Sequence, residues 1–260
     1  MPSRTAQRRE SAREAVRAVE RSASVRRRTR NAVLATVVAS ALVVAVALAA
    51  SSGGGRPTAA NGAPVAGAAY SSALLNGIPQ HGLLLGSPGA RVHVIEFADL
   101  QCPYCGEFAR QALPQIITQY VRSGEVSIEF RNLSFIGPDS VRAGRVAAAA
   151  EQQNRLWNFV DLMYLNQGEE NSGYATDGYL SRVLAAVPGL DAAKALQASR
   201  SPQAESALNE ASSAATESGI NSTPSFLVGR SGEQLRQFQP ANLTPEAFIP
   251  ELKSLLGGHA

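Results

Sequence analysis

Apolar residues recur along the chain with two periods, one typical of strands and the other of helices. The β-branched and apolar run at residues 92–97 predicts a strand, and residues 83–85 predict a second strand that pairs with it. Residues 125–131 alternate apolar and polar side chains, so they predict a third strand. Large apolar residues at helical spacing predict an amphipathic helix over residues 102–122.

An alanine-rich block follows these elements. Residues 139–218 predict four or five helices, separated by breaks rich in glycine and proline. Strand character returns at residues 225–228 and 234–238, and a last helix is predicted to begin at Pro245 and to end before Gly257. The order strand, helix, strand, helical block, two strands and helix predicts an α/β fold with a helical insertion between the central strands.

The N-terminal region contains a candidate membrane span. Residues 31–50 carry no charged side chain, and a helix of that length, at about 1.5 Å per residue, crosses the roughly 30 Å hydrocarbon core of a bilayer. Arginines flank its N-terminal end, whereas serines and glycines flank the other end, so the positive-inside rule keeps the N-terminus in the cytoplasm. We therefore expect a basic cytoplasmic tail at residues 1–30, a single-pass transmembrane anchor at residues 31–50 and an extracytoplasmic domain at the cell membrane.

A cleaved signal peptide is the alternative to this anchor, because residues 47–50 have the small-residue pattern that signal peptidase accepts. The basic region and the apolar run are both long for a signal peptide, which favours a retained anchor. Either outcome delivers the domain outside the cytoplasm. Residues 51–76 are rich in glycine, alanine, serine and proline, and they predict a flexible linker to a folded domain at residues 77–260.

The basic charge is concentrated in the tail. Residues 1–30 hold ten arginines and three glutamates, a sum of +7, whereas the whole chain carries +3, which leaves −4 for the remaining residues. A nucleic-acid-binding domain carries its basic residues on the folded surface. Nucleic acid is therefore not an expected partner.

Only two cysteines are present, three positions apart. This count excludes a disulfide-rich scaffold, and a four-ligand zinc site would need two of the scattered residues His81, His93 and His259. We expect neither a metal nor another cofactor.

The two cysteines lie in the sequence CPYC, at residues 102–105, directly after a predicted strand and at the start of a predicted helix. At a helix N-terminus, unpaired N–H groups and the helix dipole stabilise a thiolate, so Cys102 is the predicted nucleophile. Cys105 lies one turn further in and is the predicted resolving thiol. Pro103 fits the first helical turn. Tyr104 supplies no cation to stabilise the thiolate, so the sequence does not predict whether the couple is moderately or strongly oxidising. The alternative is a structural disulfide or two idle thiols.

Two stretches resemble one known family. Residues 77–106, with the run 94–99 before CPYC, look like the DsbA-like branch of the thioredoxin superfamily, and residues 219–226 resemble the segment that carries that family's cis-proline. The similarity extends over about residues 77–256. It implies a thioredoxin fold and the activity of a thiol-disulfide oxidoreductase.

The resemblance also implies roles for individual residues. Pro224 is expected to follow a cis peptide bond, with Thr223 facing the sulfurs and offering backbone hydrogen bonds to an extended substrate. Pro103 and Tyr104 are expected to contact the same substrate. Glu96 occupies the position where the family often has a buried acid, which would relay the proton of Cys105. The alternative for Glu96 is a solvated charge on an exposed strand face.

The leading functional hypothesis is an oxidase that introduces disulfides into reduced exported proteins and is reoxidised by a membrane redox partner. A disulfide reductase or isomerase is the nearest alternative. A peptide-binding module without catalytic activity, built on the same fold, is an alternative from a different class.

Overall fold

The computed structural model describes residues 63–257. The predicted tail, the predicted anchor and residues 51–62 of the predicted linker lie outside the described residues. Within the described part of the chain, no helix is long and apolar enough to cross a membrane.

Six strands and nine α-helices are found among residues 63–257. The strands are β1 (Gln80–His81), β2 (Leu84–Leu85), β3 (Val92–Ala98), β4 (Val126–Asn132), β5 (Ser225–Arg230) and β6 (Arg236–Phe238). The helices are α1 (Ala68–Leu75), α2 (Pro103–Gln111), α3 (Leu113–Ile116), α4 (Pro138–Glu151), α5 (Leu156–Leu165), α6 (Asp177–Ala185), α7 (Ala192–Ala198), α8 (Pro202–Glu217) and α9 (Pro245–Leu255), and a π-helical turn, Ile117–Val121, follows α3.

The six strands form one sheet in the order β1-β2-β4-β3-β5-β6. Strands β3 and β4 are parallel, and Val94 pairs with Ile128. Strand β5 runs antiparallel to β3, with Val228 opposite Val94. A parallel neighbour requires a crossover connection, which α2 and α3 supply. The predicted order of elements and the predicted helical insertion are confirmed, with five helices between β4 and β5.

Alternation along β3 sends its side chains to two different layers. Val94 shares the main core with Phe108 of α2 and Phe248 of α9. Phe97 lies on the opposite face of the sheet and packs in a second cluster with Ala215 of α8. Helices therefore cover both faces of the central strands.

The insertion is fixed to the sheet by aromatic packing. The rings of Trp157 in α5 and Phe130 in β4 meet edge to face, with centroids 5.9 Å apart. The indole N–H of Trp157 also donates to the Leu83 carbonyl at 2.9 Å. A buried indole is most stable when its N–H is paired in this way, and the insertion is thereby held in a defined position.

Two predictions about the start of the domain are wrong. The flexible linker does not continue to residue 76, because residues 68–75 form α1, in which Ser71 and Leu75 are buried. Its small residues permit a helix, and Leu75 joins the main core. The guanidinium of Arg122 also donates to the Leu74 and Asn76 carbonyls at its C-terminal end, at 2.7 and 2.9 Å.

The second error concerns the strand at residues 83–85. Strand β2 pairs with β1 and β4, and not with β3. Gly86 has a φ of 101° and lies so close to β4 that a Cβ there would be 3.1 Å from the Val126 carbonyl oxygen. Glycine therefore permits the chain to turn beside β4, which separates β2 from β3.

Candidate active site

Cys102 lies at the junction between β3 and α2. It is the N-cap residue of α2, and Pro103 follows in the first helical turn. The Cys102 N–H donates to the Asp99 carbonyl at 3.0 Å, and the Cys102 carbonyl accepts from the Gly106 N–H at 3.1 Å. The predicted helix start after Cys102 is confirmed.

Helix α2 is anchored beneath this junction by aromatic rings. Phe108 packs against Phe226 of β5 and Phe248 of α9, with centroids 4.8 and 5.0 Å away. Aromatic clusters of this kind bury a large apolar area and fix the relative position of their elements. The first turn of α2 is therefore held against the end of the sheet.

The two thiols occupy different environments. Cys105 is fully buried, whereas Cys102 keeps 4% of its surface exposed and its neighbour Tyr104 keeps 63%. A hydrogen bond from the Cys105 thiol, with further ones from Thr223 and from the N–H groups of Cys105 and Tyr104, lowers the pKa of Cys102 to about 6 against the opposing effect of burial. Burial, followed by the interaction with Cys102, raises the pKa of Cys105 well above its usual range. Cys102 is therefore the sulfur that ionises first.

Glu96 lies on the same face of β3 as Val94, and only 1% of its surface is exposed. Its partners across the sheet are Phe130 and Phe226, and its Oε1 atom has no hydrogen-bond partner among the described residues. Burial, reinforced by the negative charge of Cys102, raises the pKa of Glu96 to about 8. The alternative of a solvated surface charge is therefore wrong, and the carboxyl can hold a proton near neutral pH.

The segment that carries the cis-proline contacts Cys102. The Thr223–Pro224 peptide bond is cis, as the resemblance implies. The Cys102 Sγ donates to the Thr223 carbonyl at 3.4 Å, so the structure brings these two predicted site residues together.

An open groove of about 440 Å³ lies beside Thr223. Tyr104 forms part of its wall. The segment from Gly219 to Phe226, the residues from Gln237 to Pro240 and Leu243 form the remainder. Asn221, Gln237 and Gln239 are among the lining residues, and polar groups in such a groove can bind an extended peptide by hydrogen bonds. Tyr104, Thr223 and Pro224 are thus brought to one surface, whereas Pro103 is exposed beside it.

Sequence reasoning missed the residues that support the active-site loop from behind. The buried Asp99 carboxylate accepts hydrogen bonds from the N–H groups of Gln101, Phe135 and Ile136, at 2.8, 3.0 and 3.1 Å, and from the Ser140 hydroxyl at 2.6 Å. These donors come from the loop itself, from the connection after β4 and from α4. The one available signal was an acid directly after an apolar strand, which does not distinguish a surface carboxylate from a buried one.

No metal site emerges from the described residues, in which no three His, Cys, Asp or Glu side chains are grouped to hold an ion. His93 instead contacts Ser127, with 3.0 Å between Nδ1 and Oγ, and Glu129, with 3.4 Å between Nε2 and Oε2. These contacts lie within the sheet, away from the cysteines.

Comparison with known proteins agrees with this architecture. The sequence model of the family described as Thioredoxin matches residues 80–241. Probable disulfide bond formation protein D of Bacillus cereus is 32% identical over 102 residues, which are 38% of this chain and 47% of that protein. Disulfide bond formation protein D of Bacillus subtilis is 30% identical over 103 residues, 37% of this chain and 45% of that protein. The chain spans about half the length of these curated relatives.

Solved structures extend the likeness over most of the domain. Oxidised BdbD from Bacillus subtilis superposes with a TM-score of 0.60 at 20% identity, over 70% of this chain and 98% of that chain. Wolbachia pipientis α-DsbA1 superposes with a TM-score of 0.58 at 20% identity, over 70% of this chain and 92% of that chain. These likenesses show a thioredoxin-like α/β fold with a mixed sheet. Because the family match covers more than half of the 260 residues, the chain belongs to the thioredoxin family.

Proposed function

We propose that the protein is an extracytoplasmic thiol-disulfide oxidoreductase that introduces disulfides into exported proteins. The observation that carries this proposal is the difference between the two thiols, with the pKa of Cys102 lowered to about 6 and that of Cys105 raised. Thiol-disulfide exchange needs one sulfur that ionises readily and a second sulfur that stays protonated until the mixed disulfide is resolved. The relatives named for disulfide bond formation support the same proposed function.

In the proposed oxidation, a substrate thiolate attacks Sγ of Cys102 in the Cys102–Cys105 disulfide. The sulfur–sulfur bond of the protein breaks, a mixed disulfide forms, and Cys105 leaves with the electron pair and takes up a proton. Glu96 is the proposed source of that proton, because its carboxyl is protonated near neutral pH and acts on Cys105 electrostatically. A second substrate thiolate then attacks the substrate sulfur and releases Cys102 as a thiolate.

The proposed direction of this exchange rests on the stability of the reduced form. Each unit by which the pKa of Cys102 falls below its ordinary value favours the reduced, anionic protein by about 1.4 kcal/mol. A stabilised thiolate is a good leaving group, and the corresponding disulfide is a strong oxidant. The two electrons gained per cycle must leave again, and the proposed acceptor is a membrane partner that carries its own disulfide.

The groove beside Thr223 and Pro224 is the proposed substrate site. An extended segment of the exported protein would lie along it, with Tyr104 at one wall and the Thr223 backbone available for hydrogen bonds. The proposed localisation rests on the sequence alone. The uncharged residues 31–50 and the arginines before them support a single-pass anchor with the domain on the extracytoplasmic side.

The experiment is a redox equilibrium of the purified chain with glutathione, combined with an assay of disulfide formation in a reduced, unfolded substrate. An oxidase gives a potential well above the roughly −270 mV of thioredoxin and forms disulfides stoichiometrically. A potential near that of thioredoxin, with reduction of insulin, would identify the reductase or isomerase alternative. If neither reaction occurs, the protein is a binding module that has kept the fold.

A further inference from the structure

The active-site loop from Asp99 to Cys102 is held by side chains of the helical insertion. The Tyr164 hydroxyl of α5 donates to the Asp99 carbonyl at 3.2 Å, and the Tyr174 hydroxyl donates to the Leu100 carbonyl at 3.3 Å. Gln167, in the connection between α5 and α6, donates from Nε2 to the Leu100 carbonyl at 3.1 Å and to the Cys102 carbonyl at 3.0 Å. Of these three side chains, Gln167 is the one that reaches the nucleophilic cysteine residue itself.

The position of the Gln167 amide depends on a glycine in α2. A Cβ added at Gly106 would lie 2.6 Å from the Gln167 Oε1 atom, which is closer than such atoms approach in proteins. Gly106 also donates its N–H to the same Cys102 carbonyl that Gln167 binds. The amide is therefore packed against the first turn of α2, where the residue after Cys105 leaves room for it.

We propose that Gln167 is a positioning residue for the dithiol, which holds the carbonyls of Leu100 and Cys102 and so fixes the Cys102 sulfur against the start of α2. This inference rests on the proposed thiol-disulfide exchange and assigns part of its control to the insertion. The sulfur is stabilised as a thiolate by the Cys105 thiol first, and further by the Thr223 side chain and the N–H groups of Cys105 and Tyr104. Such bonds weaken steeply when distance or angle departs from the optimum.

The proposal has a defined electrostatic consequence. Without the Gln167 amide, the Cys102 carbonyl loses one hydrogen bond and keeps the one from the Gly106 N–H. The residue is then held less firmly, and the partial negative charge of its carbonyl is less well compensated. Both changes disfavour the anionic sulfur. A hydrogen bond contributes about 1 kcal/mol net, which corresponds to roughly a fivefold change in the thiolate fraction below the pKa.

The test uses Gln167→Met, which keeps the length of the side chain and removes the donor, and Gln167→Glu, which keeps its shape and places a carboxylate against the two carbonyls. The matched control is Asn166→Leu. Asn166 is the adjacent residue, and its Nδ2 atom also donates to two backbone carbonyls, those of Ala66 and Leu162, both at 2.9 Å. These bonds are directed away from the active-site loop.

Three quantities are measured on the full chain for each variant: the alkylation rate of Cys102 against pH, the redox equilibrium with glutathione and the thermal midpoint. Both Gln167 variants are expected to show an alkylation midpoint at higher pH and a dithiol equilibrium shifted about fivefold toward the disulfide. The Asn166 variant is expected to lose thermal stability while its alkylation midpoint stays at the wild-type value. Should one Gln167 variant fail to fold, the other still decides the result.

The outcomes separate this inference from the proposed function. If wild-type Cys102 has an ordinary thiol pKa and exchanges no disulfide, the proposed function is wrong, whatever the variants do. If the wild-type sulfur is acidic and the Gln167 variants shift its midpoint and equilibrium by less than about twofold, the positioning role is wrong. An equal shift in Asn166→Leu would show general loosening of the insertion and would also overturn the role of Gln167.

Discussion

The Sγ atom of Cys102 donates a hydrogen bond to the backbone carbonyl of Thr223, which lies 121 positions further along the chain. This bond exists only while the sulfur carries its proton, because a thiolate cannot donate. In the ionised form the carbonyl faces an anion, and the Thr223 side chain is among the groups that lower the pKa of the sulfur. The same residue thus favours the thiol through its backbone and the thiolate through its side chain.

Thr223→Val tests the side-chain contribution. The substitution keeps the β-branched shape and removes the hydroxyl, so the pKa of Cys102 is expected to rise from about 6 toward its ordinary value, by roughly half a unit to one unit. The ultraviolet absorbance of the thiolate, followed against pH, measures this shift. Thr223→Ser retains the hydroxyl and should titrate like the wild type. An unchanged midpoint in Thr223→Val would assign the stabilisation to the Cys105 thiol and the helix N–H groups, without a contribution from Thr223.

The two sulfurs are expected to differ in reactivity as well. Alkylation of the reduced protein should rise with pH through a midpoint of about 6, because the rate follows the thiolate fraction of Cys102. In Cys102→Ser, the remaining Cys105 should react more slowly than a free thiol at the same pH, since burial is the largest cause that raises its pKa. Mass spectrometry of the alkylated peptide identifies the residue in each case. Equal rates for the two cysteines would contradict the assignment of nucleophile and resolving thiol.

Glu96 should make the stability of the domain depend on pH. Its carboxyl has an ordinary pKa of 4.5, which applies in the unfolded chain, and a pKa of about 8 in the folded one. As pH rises between these values, the unfolded chain releases the proton while the folded chain retains it, so the free energy of unfolding falls, by up to about 5 kcal/mol. Below the lower value both states are protonated and this loss is absent.

Glu96→Gln removes this titration and keeps the size of the side chain. The difference in unfolding free energy between the variant and the wild type, from urea denaturation, should therefore grow in favour of the variant from about pH 4.5 to pH 8. Disulfide exchange should meanwhile slow down, because the proposed proton donor for Cys105 is lost. A difference that stays constant with pH would mean that Glu96 is ionised in the folded protein.

Asp99 provides a fourth prediction, which concerns the active-site loop. Asp99→Ala leaves three backbone N–H groups and the Ser140 hydroxyl without their acceptor. Buried unpaired donors are costly, so the variant is expected to lose about 3 kcal/mol of unfolding free energy. Ser140→Ala removes one of these donors and should cost about 1 kcal/mol. Urea denaturation measures both losses of unfolding free energy, provided that the denaturant slope of each variant equals that of the wild type. Equal losses in Asp99→Ala and Ser140→Ala would contradict a hydrogen-bond network centred on Asp99.

Local signals in the sequence account for the parts of the site that were predicted. A β-branched run ends at residue 97, CPYC begins five residues later, and Pro103 fits the first turn of a helix. The strand, the cysteines and the helix start could therefore all be predicted from local sequence. The alternation of β3 also places Glu96 on the face of Val94. The burial of Glu96 could not be predicted from the sequence, because it depends on Phe130 and Phe226, which come from other strands.

The residues behind the loop could not be predicted for the same kind of reason. Gln167 binds the Cys102 carbonyl across 65 positions of sequence, and its local pattern is that of an ordinary polar residue after a helix. Helix α1 escaped prediction because residues 68–75 are mostly small, and the hydrophobic pattern within them is weak. Its stability comes from contacts with α5 and the core, which only the tertiary structure supplies.

Asp161 makes the docking of α1 testable. This residue of α5 is buried, with 5% of its surface exposed, and its Oδ2 atom has no hydrogen-bond partner among the described residues. Burial raises its pKa from 3.8 to about 6, against the opposing influence of the Ser71 hydroxyl of α1. The folded state therefore retains the proton over a pH range in which the unfolded chain releases it. Stability contributed by this site is present below pH 3.8 and falls as pH rises to about 6.

Asp161→Asn is accordingly expected to gain up to about 3 kcal/mol relative to the wild type between these two pH values and to show no further change above them. This window ends below that of Glu96, so comparing each variant with the wild type separates the two carboxyls. Asp177→Asn, at an exposed ion pair with Arg200, serves as the control and should change stability by less than about 1 kcal/mol. Urea denaturation at closely spaced pH values measures all three proteins. If the gain of Asp161→Asn is already complete at the lowest pH, the carboxyl is not held protonated by burial between α5 and α1, and another cause must explain its position.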